Sequence, residues 1–115
     1  MGAPITHVEI NTKDQKKLQD FYAKLFDWHM DTNNPMGYAM IDTHAGKGIG
    51  AGIGTSRDGR NLVTFYVESD DLKGTLAKAE KLGARTIQPP TQAGPVEIAL
   101  FADPEGNVIG LAKGM

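Results

Sequence analysis

Ile98-Ala-Leu-Phe-Ala-Asp-Pro-Glu-Gly-Asn-Val-Ile-Gly-Leu-Ala112 consists of two alternating apolar runs held apart by Asp103-Pro-Glu-Gly-Asn107. In that pentapeptide Asp can hydrogen-bond the turn backbone, Pro pre-sets φ, and Gly can take φ > 0. The stretch predicts a β-hairpin whose turn is set by local chemistry.

Working outward, the preceding residues predict a strand over Arg85 to Gln88 that breaks at Pro89-Pro90. Before it lies a helix with Leu72, Leu76, Ala79 and Leu82 on one face, capped by Asp70 or Asp71 and closed by Gly83. Leu62-Val-Thr-Phe-Tyr-Val67 reads as the strand that opens this half, after a polar linker over Ser56 to Arg60. The first half follows the same plan. Ile5-Thr-His-Val-Glu-Ile-Asn11 alternates as a strand, with His7, Glu9 and Asn11 on one face. Thr12-Lys-Asp-Gln15 matches a capping box, and Asp14 also suits a helix start. Leu18, Phe21, Tyr22, Leu25 and Phe26 recur at helical spacing, which assigns Phe21, Tyr22, Phe26 and nearby Trp28 to the core. Three short segments follow, over Trp28 to Asp31, Gly37 to Asp42 and Gly48 to Thr55.

Strand-helix-strand-strand-strand thus occurs twice, at a period of roughly 55 residues, as in a duplicated module. The expected fold is α+β, a single domain over 1–115. Module one spans about 4–56 and module two about 60–113. A helix covers one face of each sheet. The face carrying His7, Glu9 and Asn11 is too polar to pack on a helix and is expected to line a wet cavity. Gly48, Gly50, Gly52 and Gly54 alternate along one strand, which predicts close approach by the other module or by a ligand.

Composition narrows the classes. The chain has 115 residues, a net charge of −2 and no cysteine. The charge gives no reason to expect nucleic acid or an anionic membrane as partner. Without cysteine there are no disulfides, thiolate metal sites or cysteine nucleophile. No apolar run approaches the roughly 18 residues of a membrane span, and no signal-peptide pattern opens the chain. The expected location is the cytoplasm.

Ile5-Thr-His-Val-Glu-Ile-Asn and Asp20-Phe-Tyr-Ala-Lys-Leu-Phe-Asp-Trp28 resemble the opening of the vicinal oxygen chelate superfamily, the glyoxalase, bleomycin-resistance and extradiol-dioxygenase proteins. Gly48-Ile-Gly-Ala-Gly-Ile-Gly54, Phe65-Tyr-Val-Glu-Ser-Asp-Asp-Leu72, Ala77-Lys-Ala-Glu-Lys-Leu-Gly83 and Asp103-Pro-Glu-Gly-Asn107 resemble its later landmarks, in order. The wording points to the branch related to lactoylglutathione lyase. The resemblance implies two βαβββ modules forming a glyoxalase-like half-barrel cup, and a homodimer. It also implies a divalent ion held from the first strand of each module, a middle strand and the last strand.

Carried over position by position, His7 stands where the first-strand ligand stands. Asn61-Leu-Val-Thr64 offers no histidine or carboxylate, and Gly110 replaces the last-strand acid. A catalytic ion needs about three protein ligands. The expectation is therefore no metal cofactor. The expected ligand-binding residues are His7, Glu9, Asn11, Tyr38, Met40 and Phe101, with His7 and Glu9 the candidates for catalysis. Tyr38 and Met40 are read as apolar lining; His29, His44, Asp42 and Glu97 are read as solvated. The expected function is binding of a small organic molecule in the cup without the usual metal. One alternative is a lyase- or isomerase-type enzyme acting on a small oxygenated substrate through His7 and Glu9, or through a metal at His7. The other is a non-catalytic interaction module.

Overall fold

The protein was analysed as a computed structural model that describes residues 2–35 and 37–114. Eight strands and two helices follow one another as β1 (Ile5–Thr12), α1 (Gln15–Phe26), β2 (His29–Asp31), β3 (Ala39–Asp42), β4 (Gly50–Thr55), β5 (Leu62–Glu68), α2 (Leu72–Lys81), β6 (Arg85–Ala93), β7 (Val96–Ala102) and β8 (Val108–Lys113). This is the βαβββ pattern twice. The chain divides into two compact units, one of residues 7–63 and one of 64–115 together with 1–6. Among the described residues, no helix is long and apolar enough to cross a membrane.

In the first unit the strand order is β2-β3-β4-β1, with β1 parallel to β4 and the other pairs antiparallel. Period-two alternation sends Ala39, Ile41 and Ile53 to one face, where Ile10, Leu18 and Tyr22 pack on them beneath α1. The opposite face carries His7, Glu9 and Asn11. Asp14 caps α1, its carboxylate accepting from Lys17 N, while Thr12 ends the strand. The capping box is therefore displaced: Gln15 is the first helical residue and cannot reach back from the third. The aromatic core is also narrower than the periodicity suggests. Phe21 and Phe26 remain 53% and 52% exposed, because the helix rests on its sheet through Leu18 and Tyr22. Tyr22 and Phe26 instead stack with Trp28 along the helix flank.

The second unit has the order β5-β8-β7-β6. Asp71, not Asp70, caps α2 through Gly74 N. Gly83, at φ +104°, closes α2 with Gly83 N donating to Glu80 O and Ala84 N to Ala79 O. Leu82 thus lies beyond the last turn and is 71% exposed, whereas Leu72 and Leu76 are buried with Ala99 and Leu111. Pro89-Pro90 does not break the chain. β6 continues to Ala93 with register shifts around Gln88, and it can do so because it is an edge strand in which a missing N–H disrupts no ladder on its outer side. The hairpin forms as expected, pairing Ala102 with Val108. Asp103 accepts from Glu105 N and Asn107 N and from the Asn107 side chain, which holds its carboxyl below the usual range.

Gly110 pairs with Tyr66 across β5 and β8, on the face away from α2. The Tyr66 ring, 2% exposed, covers it. A Cβ at Gly110 would meet the ring carbons at 2.5 Å. Gly110→Ala is expected to destabilise the protein by about 1–3 kcal/mol through overpacking, read as a lower urea midpoint. An unchanged midpoint would contradict this packing.

Candidate active site

Strand alternation puts His7, Glu9 and Asn11 on the face of β1 opposite α1, in register with Gly50, Gly52 and Gly54 of β4. The residue that organises this face lies outside the strands. Tyr38 precedes β3, and Asn34 fixes its backbone at both ends: Asn34 Nδ2 donates to Tyr38 O at 2.6 Å and Tyr38 N donates to Asn34 Oδ1 at 3.0 Å. Held this way, the ring lies over Gly52 and Gly54. A Cβ at Gly52 would collide with the Tyr38 hydroxyl, and one at Gly54 would sit 3.1 Å from the ring. The glycine alternation therefore admits a side chain of the same unit, where the sequence suggested the other module or a ligand.

Tyr38 Oη donates to Glu9 Oε1 at 2.9 Å and lies 2.7 Å from His7 Nε2. A phenol has one proton, and an ionised carboxylate only accepts. With that proton directed at Glu9, His7 Nε2–H must donate to Tyr38 Oη. The result is a directional chain from imidazole to phenol to carboxylate. His7 is buried, at 3% exposure, and burial pushes its pKa down, with the Glu9 charge opposing. The chain requires only an Nε2–H, and burial favours the neutral imidazole as its carrier at pH 7. Asn11 Oδ1 lies beside Gly54, 3.3 Å from where a Cβ there would stand.

The remaining candidates separate. Met40 pairs with Gly52 and shares its face, but it lines a shallow cavity of about 640 Å³ with His29, Asp31, Asp42 and His44. Phe101 belongs to the second unit and packs on the α2 side against Leu72, Leu76, Ala99 and Leu111. Two features escaped the sequence reading. Tyr38 is a polar bridge more than an apolar lining residue. His29 and His44, read as independent solvated residues, come within 5.9 Å of each other, ring centre to ring centre, with Asp42 beside His44. The acids there already serve turns: Asp31 accepts from Asn33 N and Asp42 from His44 N.

A divalent ion does not fit this donor set. The His7 nitrogen that would face it is engaged by Tyr38. In the second unit, taken by itself, Thr64 is buried and donates to Val108 O, and Gly110 lies under Tyr66. Among the described residues, no group of three histidine, cysteine or acidic side chains is placed to hold a metal.

The sequence profile of the glyoxalase-like domain matches residues 7–112. No curated protein sequence matches the chain. Among solved structures, one described as an NAD-dependent benzaldehyde dehydrogenase from Legionella pneumophila aligns at 20% identity and TM-score 0.68, covering 95% of this chain and 98% of that one. Methylmalonyl-CoA epimerase from Mycobacterium tuberculosis aligns at 16% identity and TM-score 0.63, covering 96% and 87%. A methylmalonyl-CoA epimerase in complex with methylmalonyl-CoA and NH4+ aligns at 18% identity and TM-score 0.64, covering 97% and 94%. At these identities the likeness establishes the fold alone.

Since burial lowers the folded-state pKa of His7 below its ordinary 6.5, protonation favours the unfolded chain. The contribution of neutral His7 is complete above pH 6.5 and is lost as pH falls toward the lowered folded value. His7→Gln keeps an N–H for Tyr38 without titrating. The loss of urea stability between about pH 7.5 and about pH 5 should therefore be smaller in the variant than in the wild type. Equal losses would contradict the assignment.

Proposed function

The chain belongs to the glyoxalase-like domain family, within the vicinal oxygen chelate superfamily, and from that premise we propose that it binds a small oxygenated organic molecule over the His7–Glu9–Asn11 face of its first unit and transfers protons to and from it. The reaction class is lyase or isomerase. The observation that carries this reading is one phenol bridging a buried imidazole and a carboxylate. Here an imidazole and a carboxylate converge on the oxygen of a third acid–base group, the Tyr38 phenol, whose ring the glycines of β4 make room for.

Each group has a distinct part. Glu9 is the base, since its carboxylate is the acceptor at the end of the chain. Tyr38 is the hydrogen-bond donor to a ligand oxygen. His7, almost wholly buried, holds the phenol and sets the direction of its proton. Asn11 flanks the polar centre on the same face of β1. The epimerase names of two structural neighbours agree with proton transfer next to a carbonyl, and the chemistry proposed for this chain rests on its own residues.

The test is solvent-deuterium incorporation, followed by NMR, in a panel of 2-keto acids, hydroxyketones and short acyl thioesters with EDTA present. Exchange at the carbon beside the carbonyl is expected for at least one class. Glu9→Gln should slow it by about 10²-fold or more. Binding without exchange would reduce the protein to a carrier, and exchange that appears only on adding zinc or nickel would overturn the proposal. So would the absence of both binding and exchange across the panel.

A further inference from the structure

We infer that the Tyr38 phenol occupies the place on His7 that a divalent ion would take, and that it is the group receiving the carbonyl oxygen of a substrate with an acidic C–H. The inference rests on the proton-transfer reading above and goes beyond it by naming the electrophile and the substrate class.

The geometry is specific. Tyr38 Oη lies 2.7 Å from His7 Nε2 and 2.9 Å from Glu9 Oε1. An ion held by both would need their lone pairs at about 2.0–2.2 Å from a common point, and the phenol oxygen already lies between them. The occupant is built in. Asn34 clamps the backbone of Tyr38, and Gly52 lacks the Cβ that would expel the hydroxyl. In the second unit Tyr66 covers Gly110 in the same manner, filling the space a last-strand side chain would need.

The single phenol proton makes the site switchable. At rest it is given to Glu9 Oε1. His7 Nε2–H donates into the phenol oxygen and strengthens its O–H as a donor. A carbonyl oxygen arriving at Tyr38 takes over the O–H, and the Glu9 oxygen that had accepted it takes up a substrate proton instead. The C–H bond beside the carbonyl then breaks, its proton goes to a Glu9 oxygen, and the electron pair moves through carbon to the carbonyl oxygen. The enolate oxygen is held by Tyr38 O–H, as in an oxyanion hole. Where the carbon that lost its proton carries a hydroxyl, Glu9 delivers the proton to the former carbonyl carbon while the hydroxyl proton passes to the former carbonyl oxygen, which completes an isomerisation. No electrons are gained or lost overall, and no co-reactant is needed.

Acetohydroxamate tests this, because it is a planar mimic of an enediolate and also a strong metal chelator. With EDTA present it should bind the wild-type protein and shift one tyrosine 13Cζ signal that is missing from Tyr38→Phe. Binding should weaken at least tenfold in Tyr38→Phe, and added zinc should leave wild-type binding unchanged. Gly52→Ala, which displaces the hydroxyl without altering Tyr38, should weaken it in parallel and serves if Tyr38→Phe does not fold. Binding that survives both substitutions, that requires zinc and is lost in His7→Ala, or that is absent altogether would overturn the inference. The broader reading fails separately. Deuterium exchange that persists in Tyr38→Phe removes the phenol from the mechanism while leaving proton transfer intact. Tyr38-dependent binding with no exchange in any substrate class removes the reaction instead.

Discussion

The hydrogen bond between His7 and Tyr38 joins the two parts of the sequence that make this site, and most of the first unit's open face can be understood from it. The donor lies on β1 and the acceptor just before β3, 31 residues apart. Bringing them together requires β4 between them to be smooth, hence glycine at 52 and 54. It requires the loop before β3 to be rigid, hence the double hydrogen bond to Asn34. It also requires a proton on His7 Nε2, and burial favours the neutral ring as its carrier. The energy at stake is modest for one bond, about 0.5–1.5 kcal/mol. Leaving the buried imidazole N–H without its acceptor would cost more, on the order of 1–3 kcal/mol. That asymmetry keeps the phenol in place.

The two units share one packing device. In each, a tyrosine ring covers a glycine on the face opposite the helix: Tyr38 over Gly52, Tyr66 over Gly110. The two rings differ in consequence. Tyr66 is buried in the cluster with Leu100 and Ala112. Tyr38 keeps its hydroxyl between two proton-carrying groups. Chemistry is therefore assigned to the first unit.

Much of the fold is legible in the sequence because it depends on local rules. Alternation over Ile5 to Asn11 puts three polar side chains on one face whatever β1 pairs with. The hairpin turn follows from the hydrogen bonds of a single aspartate, Asp103. What the sequence does not carry is strand order. Pro89-Pro90 reads as a break because prolines interrupt central strands, and only the edge position of β6 removes the conflict. The exposure of Phe21 and Phe26 has a similar origin, since helical spacing identifies a stripe but not how much of it one small sheet can cover.

The site divides along the same line. His7, Glu9 and Asn11 can be placed from periodicity. Tyr38 is read from the Gly37 to Asp42 segment as apolar lining beside Met40, and its polar role is not legible because it lies just before β3, where Asn34 rather than strand pairing holds its backbone. The one available signal was the glycine alternation of β4, read correctly as close approach but not traced to Tyr38. The most direct measurement of the account is 15N NMR of the His7 ring at neutral pH. A neutral imidazole protonated at Nε2, with that proton hydrogen-bonded to Tyr38, is the predicted result. A ring protonated at Nδ1 alone, or an imidazolium, would contradict it.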